Sequence, residues 1–322
     1  MNKSSLQALA ALAFAAAAAP FPAFADGPAQ TAWVSGAGAD AAACGLEASP
    51  CRTLQFTNDR IVRAGGVILV RDAADYGALT IRMALSVVNV GAGAPTLLAT
   101  KGVAVLIDAG ADDDVTLRGL ALDGAGTGGI GIDVLGAGRL TIDGASVRGF
   151  SDSAGGYGIG VLIEPRAGAV RFSISRSSFA DNSFVHVLVN PNRNGGTGAS
   201  ATGQIGDVAM SGGGYGVMVV TSAPGSSASA DIEGARIANP RQTGVYSYAY
   251  AASAPASVLA RDVMVSGARV AYSVEGAGRL SIANSSAFAS VGLDVFAPGG
   301  RATAYGGNVL SGSSLVAAAA AQ

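Results

Sequence analysis

The stretch Leu140-Thr-Ile-Asp-Gly-Ala-Ser-Val-Arg-Gly149 returns in altered form towards the C-terminus, and this recurrence limits the fold more than any other feature of the chain. Apolar or small anchors stand at Leu117, Ile142, Ile174, Ile205, Ile232, Ala260, Ile282 and Ala304, spaced 22 to 32 residues apart. Five positions after each comes a second, at Leu122, Val147, Phe179, Met210, Ile237, Val265, Ala287 and Val309, with a Gly, Ser or Asn-rich turn soon afterwards. Turns of variable length between strands of constant length are the mark of a solenoid. Another ladder follows at Ile130, Ile159, Val185, Val217, Val245, Val270 and Leu293, usually with Gly just before it.

Around these anchors apolar residues alternate, as in Ile130-Gly-Ile-Asp-Val134 and Val185-His-Val-Leu-Val189, the period of a strand with one buried face. Between residues 66 and 311 no helical periodicity stands out. Short strands joined by glycine turns, at a repeat too short for a crossover helix, predict an all-β chain coiled as one parallel sheet. The less regular segments 67–70, 79–81 with 85–88, and 103–107 read as early coils. That makes roughly ten coils at the spacing of paired strands.

Residues 1–25 have a short polar start with Lys3, an Ala/Leu/Phe run and Ala23-Phe24-Ala25, and read as a secretory signal peptide. A membrane anchor is the alternative, but Pro20 and Pro22 interrupt the run and it is short for a span. With this segment removed, no membrane span is expected. The location that follows is periplasmic or secreted. Cys44 and Cys51 are then most simply a disulfide, with metal binding as the other use of such a pair. The net charge of -2 gives no basic surplus for nucleic acid.

Trp33-Val-Ser-Gly-Ala-Gly-Ala-Asp40 and Ser49-Pro-Cys-Arg-Thr-Leu-Gln55 resemble the opening segment of bacterial right-handed parallel β-helix proteins of the pectate-lyase-like superfamily. The match is closest to uncharacterised exported β-helix proteins. The resemblance implies a right-handed parallel β-helix, with the aromatic-Val-Ser strand leading into a short capping helix. From the residues alone, Thr53, Leu54, Phe56, Ile61 and Val62 suit an amphipathic helix that stops at Ala64-Gly65-Gly66. The expected organisation is residues 26–65 as lead-in strand, disulfide loop and capping helix, 66–311 as the β-helix, and 312–322 as a tail.

The catalytic sets of pectate lyases and polygalacturonases are absent: the one histidine, His186, lies in Val-His-Val, and no Arg-x-Pro-x-x-Arg stretch occurs. Asp112, Asp113 and Asp114 offer oxygen ligands of the type calcium takes, or form a hydrated turn. On the outward side of the first ladder, Arg118 should pair with Asp143 and Glu233 with Arg261. Such exposed pairs set register, and an acid/base dyad with Asp207 or Asp262 nearby is the other reading.

The outward positions of the later ladder read Leu162, His186, Leu188, Met218, Tyr246, Tyr248, Tyr250 and Phe296, where polar residues are the rule. Three readings compete. The long turns 189–201 and 221–230 fold back and make a satellite core; or the row is a protein contact surface; or Tyr246, Tyr248 and Tyr250, flanked by His186, Arg241 and Gln242, form a platform for sugar rings. The functional expectation is an exported, carbohydrate-associated or surface-binding protein with no recognisable catalytic site. A polysaccharide lyase or glycoside hydrolase with an atypical site, and a structural or adhesive rod, are the alternatives; the partner is a polysaccharide or another protein.

Overall fold

A computed structural model describes residues 29–151, 157–288, 292–311 and 313–315. The expected signal peptide, residues 1–25, lies outside the described residues, as does the expected tail 312–322 apart from Ser313–Leu315, which pairs as a strand with Leu293–Phe296. The chain is a parallel β-solenoid whose strands form three sheets, of 11, 9 and 10 strands. A typical turn gives Arg139–Asp143 to the first sheet, Ser146–Arg148 to the second and Ile159–Ile163 to the third. Eight such turns run from Asp114–Arg118 to Ser313–Leu315. The count is below the roughly ten expected, because the early segments form a less regular lead-in dominated by one long strand, Val62–Asp72.

The first ladder is a physical column. Leu117, Ile142, Ile174, Ile205, Ile232, Ala260 and Ile282 stack in register on adjacent strands and are all buried. The second column runs Leu122, Val147, Phe179, Met210, Ile237, Val265 and Ala287. Its last member is Leu310 and not Val309, because the closing turn holds one residue more before the strand resumes.

After the strands of the first sheet from Asp114–Arg118 to Arg279–Ala283 the backbone turns through a left-handed residue. Asp207, Asp262 and Asn284 fill that position with φ near 50°, as short polar side chains can. Arg176 also does so, at φ 48°, and its guanidinium is anchored on Asp143 at 2.5 Å.

The N-terminal end is closed as a solenoid end must be, since an open end exposes apolar side chains and a strand edge. The helix α1, Leu54–Arg60, starts at Thr53, whose Oγ1 accepts from the Phe56 amide while Asp40 accepts from Thr53 Oγ1 at 2.8 Å. It is shorter than expected. The chain enters the Val62–Asp72 strand directly, so Ala64-Gly65-Gly66 are strand and not a helix stop. The lead-in strand Ala29–Val34 pairs with that strand, and Cys44 and Cys51 are joined, with Cα atoms 5.0 Å apart. No helix among the described residues is long and apolar enough to cross a membrane.

Ile205 sits mid-column between Ile174 and Ile232. Ile205→Ala is expected to cost about 2–5 kcal/mol, as cavity-forming changes in cores do. Thr202→Ala, on the exposed side of the same strand, should stay within about 0.5 kcal/mol. Urea denaturation of both variants checks the contrast.

Candidate functional site

The third sheet carries the features that ordinary packing does not explain, and its geometry begins at a corner. Ile130 points outward, but the next two residues, Gly131 and Ile132, both face the interior, so simple alternation fails there. Equivalent corner positions are Gly131, Gly160, His186, Gly216 and Gly244. A Cβ on Gly131 would lie 2.8 Å from Val147 Cγ1, and one on Gly216 2.8 Å from Ile237 Cγ2. Side chains of the second sheet fill that space, which is why glycine recurs.

His186 is therefore inward and fully buried, contrary to the expectation that it joins the outer row. Its ring lies 6.2 Å from Phe179, Asn182 Nδ2 donates to Nδ1 at 3.0 Å, and Nε2 donates to the Gly212 carbonyl at 3.2 Å. Burial holds it neutral, with its pKa pushed down to about 4. The later ladder read from sequence also mixed two faces. Ile130, Ile159, Val185, Val270 and Leu293 face outward in register with Tyr215 and Thr243, whereas Val217 and Val245 belong to the inward column with Val187.

The central outer row reads Asp133, Leu162, Leu188, Met218, Tyr246, Ser273 and Phe296. Leu162, Leu188 and Met218 are buried together with Ile159 and Val185 in a cluster separate from the main core. Along its edge runs a file of rings: Tyr157 to Phe184 at 5.2 Å, Phe184 to Tyr215 at 5.6 Å, and Tyr215 to Tyr246 at 6.0 Å. Tyr246 and Tyr248 are half-buried, and Tyr250 is 64% exposed at the far end of the strand. The Tyr246 phenol is raised above its usual pKa by burial and by Glu275.

Arg241 and Gln242 are exposed at the opposite end of that strand from Tyr250. Arg241 is held there by donating to the Ser183 carbonyl. The expected platform is thus divided: Tyr246 joins the ring file, Arg241 flanks its Phe184 side, Tyr248 and Tyr250 lead away, and His186 is removed.

The two long turns stack on one another, with Ser222 Oγ donating to Asn190 Oδ1 at 3.1 Å. In the first, Asn192 fixes the base by donating to the Arg166 carbonyl and accepting from the Ala199 amide. Its tip reaches back one turn. Arg193 lies 3.3 Å from Glu164 Oε2 and 5.6 Å over the Tyr157 ring, and Asn194 donates to Glu164 Oε1 at 2.8 Å. This end of the row is covered, as a satellite core requires, while the tyrosine end is not.

Under the covered end lie two carboxyl groups that sequence reading passed over. Asp133 is 8% exposed, and its Oδ1 has no hydrogen-bond partner. Glu164, 4% exposed, follows directly after the next strand, Ile159–Ile163, two residues on from Leu162, the register partner of Asp133. Burial raises the Asp133 pKa to about 7, with Glu164 and Asp108 adding to the rise and Arg193 and Arg166 opposing it. A cavity of about 300 Å³ is lined by Asp108, Leu135 and Arg166, the last two each two residues on from one of the acids, which themselves do not line it. The signal was present: Asp133 is the one acid in the outer row, one turn before Leu162.

The remaining expectations fall elsewhere. Arg118 pairs with Asp143 at 3.2 Å and Arg261 with Glu233 at 3.1 Å. Asp112 and the half-buried Asp113, which accepts from the Gly110 amide, form a turn into the strand Asp114–Arg118, where exposed Asp114 faces Arg139 at 3.9 Å.

No family model matches the chain, and a search of curated proteins finds no match. Among solved structures the chain is similar to the crystal structure of the GH136 lacto-N-biosidase from Eubacterium ramulus, at 10% identity over 88% of this chain and 68% of that one, with a TM-score of 0.42. No residue role is carried over from it.

Two buried groups give stability opposite slopes with pH. Folded, Asp133 keeps its proton to about pH 7, against an ordinary 3.8, so stability falls as pH rises through that window. His186, lowered from 6.5 to about 4, makes stability fall as pH drops through its own window, and the two oppose each other between about 4 and 6.5. Of these two groups, only Asp133 titrates above that. The melting temperature should therefore decline between pH 6.5 and 8, and Asp133→Asn should flatten the decline.

Proposed function

We propose that the protein is exported and binds polysaccharide along the outer face of its third sheet. The observation that carries this is the ring file Tyr157, Phe184, Tyr215 and Tyr246, which crosses successive turns with centroids 5.2 to 6.0 Å apart. Tyr248, on the strand of Tyr246, and the exposed Tyr250 just after it lead away from the file along that strand. Aromatic side chains offer large apolar area with a polar tip and little rotamer freedom to lose, which suits the apolar faces of sugar rings. A periodic file on a rigid sheet suits a polymer in particular, since neighbouring strands repeat every ~4.8 Å.

Export is supported by the N-terminal segment and by the Cys44–Cys51 bond, which persists in oxidising compartments. The resemblance to pectate-lyase-like proteins supports a saccharide ligand by analogy, since one fold hosts many functions.

A glycan array probed with the mature protein should show retention of at least one polysaccharide. Tyr246→Ala and Tyr248→Ala should each weaken it by about tenfold, the equivalent of ~1.4 kcal/mol. Equal melting temperatures would show that the variants remain folded. A blank array for the wild type would remove the sugar reading and leave the face as a contact surface for another protein.

A further inference from the structure

We propose that Asp133 and Glu164 form an acid–base pair that hydrolyses a glycosidic bond of the polysaccharide held on this face. The inference rests on the binding reading above and adds a reaction to it.

The first observation is that Asp133 lies on the outside of the sheet, is more than nine-tenths buried, and leaves Oδ1 without a partner. An unpaired polar atom under cover is costly, and a carboxyl group more so. On the first sheet the equally buried Asp143 takes Arg118, Arg176 and the Ser175 hydroxyl. Asp133 has been given no such set. Its environment differs in a way that suits a proton donor: burial and the nearby acids keep it protonated to about pH 7.

The second observation is that its neighbour is arranged for the complementary role. Glu164 is ion-paired with Arg193 and accepts from Asn194, so its carboxylate is oriented by two groups from one turn. The two acids sit one strand apart and two residues out of register. Strand spacing and rise then set their Cα atoms about 8 Å apart. An inverting hydrolysis requires the carboxyl groups themselves to stand ~6.5–9.5 Å apart, with a water between acid and base.

The third observation is placement. Tyr157, at the end of the ring file, lies under Arg193, so the file leads to the carboxyl pair. The cavity lined by Leu135 and Arg166, each two residues on from one of the acids, opens at this end of the face.

The reaction balances with water as the only co-reactant. Asp133 donates its proton to the glycosidic oxygen as the bond from that oxygen to C1 breaks. Glu164 takes a proton from a water whose oxygen bonds to C1 from the opposite face. The products are a hemiacetal and an alcohol, with inverted configuration at C1. Arg193 is a positioning residue, and the exposed tip 194–198, with Gly195, Gly196 and Gly198, must move aside to admit the chain.

The test takes a polysaccharide retained on the array and follows new reducing ends, with proton NMR for the anomer first formed. The wild type should release reducing ends, and the rate should decline as pH rises through about 7. Asp133→Asn and Glu164→Gln should each lose at least about 100-fold in rate while keeping binding, the scale of general acid–base catalysis. Asp231→Asn, on the first sheet, should act as wild type. Retention of a polysaccharide with no release, or full activity in Asp133→Asn, would overturn the proposal and leave the binding reading intact. Failure to bind any polysaccharide would overturn both.

Discussion

Everything in this molecule depends on in-register stacking of like side chains between parallel strands. Each turn buries its residues only against the turns before and after it, so a column such as Ile142, Ile174, Ile205 and Ile232 works as a shared core and not as separate contacts. The same registry fixes the outer face. Whatever side chain points out on one turn has a neighbour on the next about 4.8 Å away, so an outward row is either a set of neutralised charges or a built surface. The first sheet takes the former course, with Arg118 and Arg176 on Asp143. The third sheet takes the latter.

How much of this could be read from sequence follows from the same constraint. The first-sheet column was legible because its period is set by strands that do not vary in length, and its outward ion pairs followed by one step of alternation. The third sheet was harder because its strands start at a corner. There two successive residues face inward, Gly131 and Ile132 in one turn, His186 and Val187 in another. A period of two counted through that corner puts His186 on the wrong side and merges Val217 with Ile159, which face opposite ways. The repeated glycine was visible, but its cause was not: it lies in Val147 and Ile237 on a different sheet. Only tertiary packing shows that His186 can occupy a glycine position: a Cβ on Gly213 would lie 3.1 Å from His186 Cε1, so glycine there leaves the ring its space.

The carboxyl pair illustrates a second limit. Asp133 lies in the strand Ile130–Gly136, and its outward side follows from its neighbour Leu162. Its significance was not, since an outward acid is ordinarily solvated and bland. What changes its meaning is the turn 190–199, which lies more than fifty residues later in the chain and brings Arg193 and Asn194 onto Glu164. Cover supplied from so far along the sequence converts a surface acid into a buried one.

That cover makes one end of the outer row a satellite core and leaves the other end open. At the Asp133 end the turn folds back and the apolar residues are sealed, so Leu162 and Leu188 are core. At the Tyr246 end no such seal exists, and the rings continue outward to Tyr250. A satellite core and an open aromatic surface are therefore successive parts of one face. The cover holds the acids out of bulk solvent, which raises the proton affinity of Asp133, while the rings beyond it stay open. A polymer lying along the rings would meet Arg193 first, since that side chain bridges Tyr157 and Glu164. Displacing it would uncover Glu164 and couple occupancy of the aromatic surface to access to the acids.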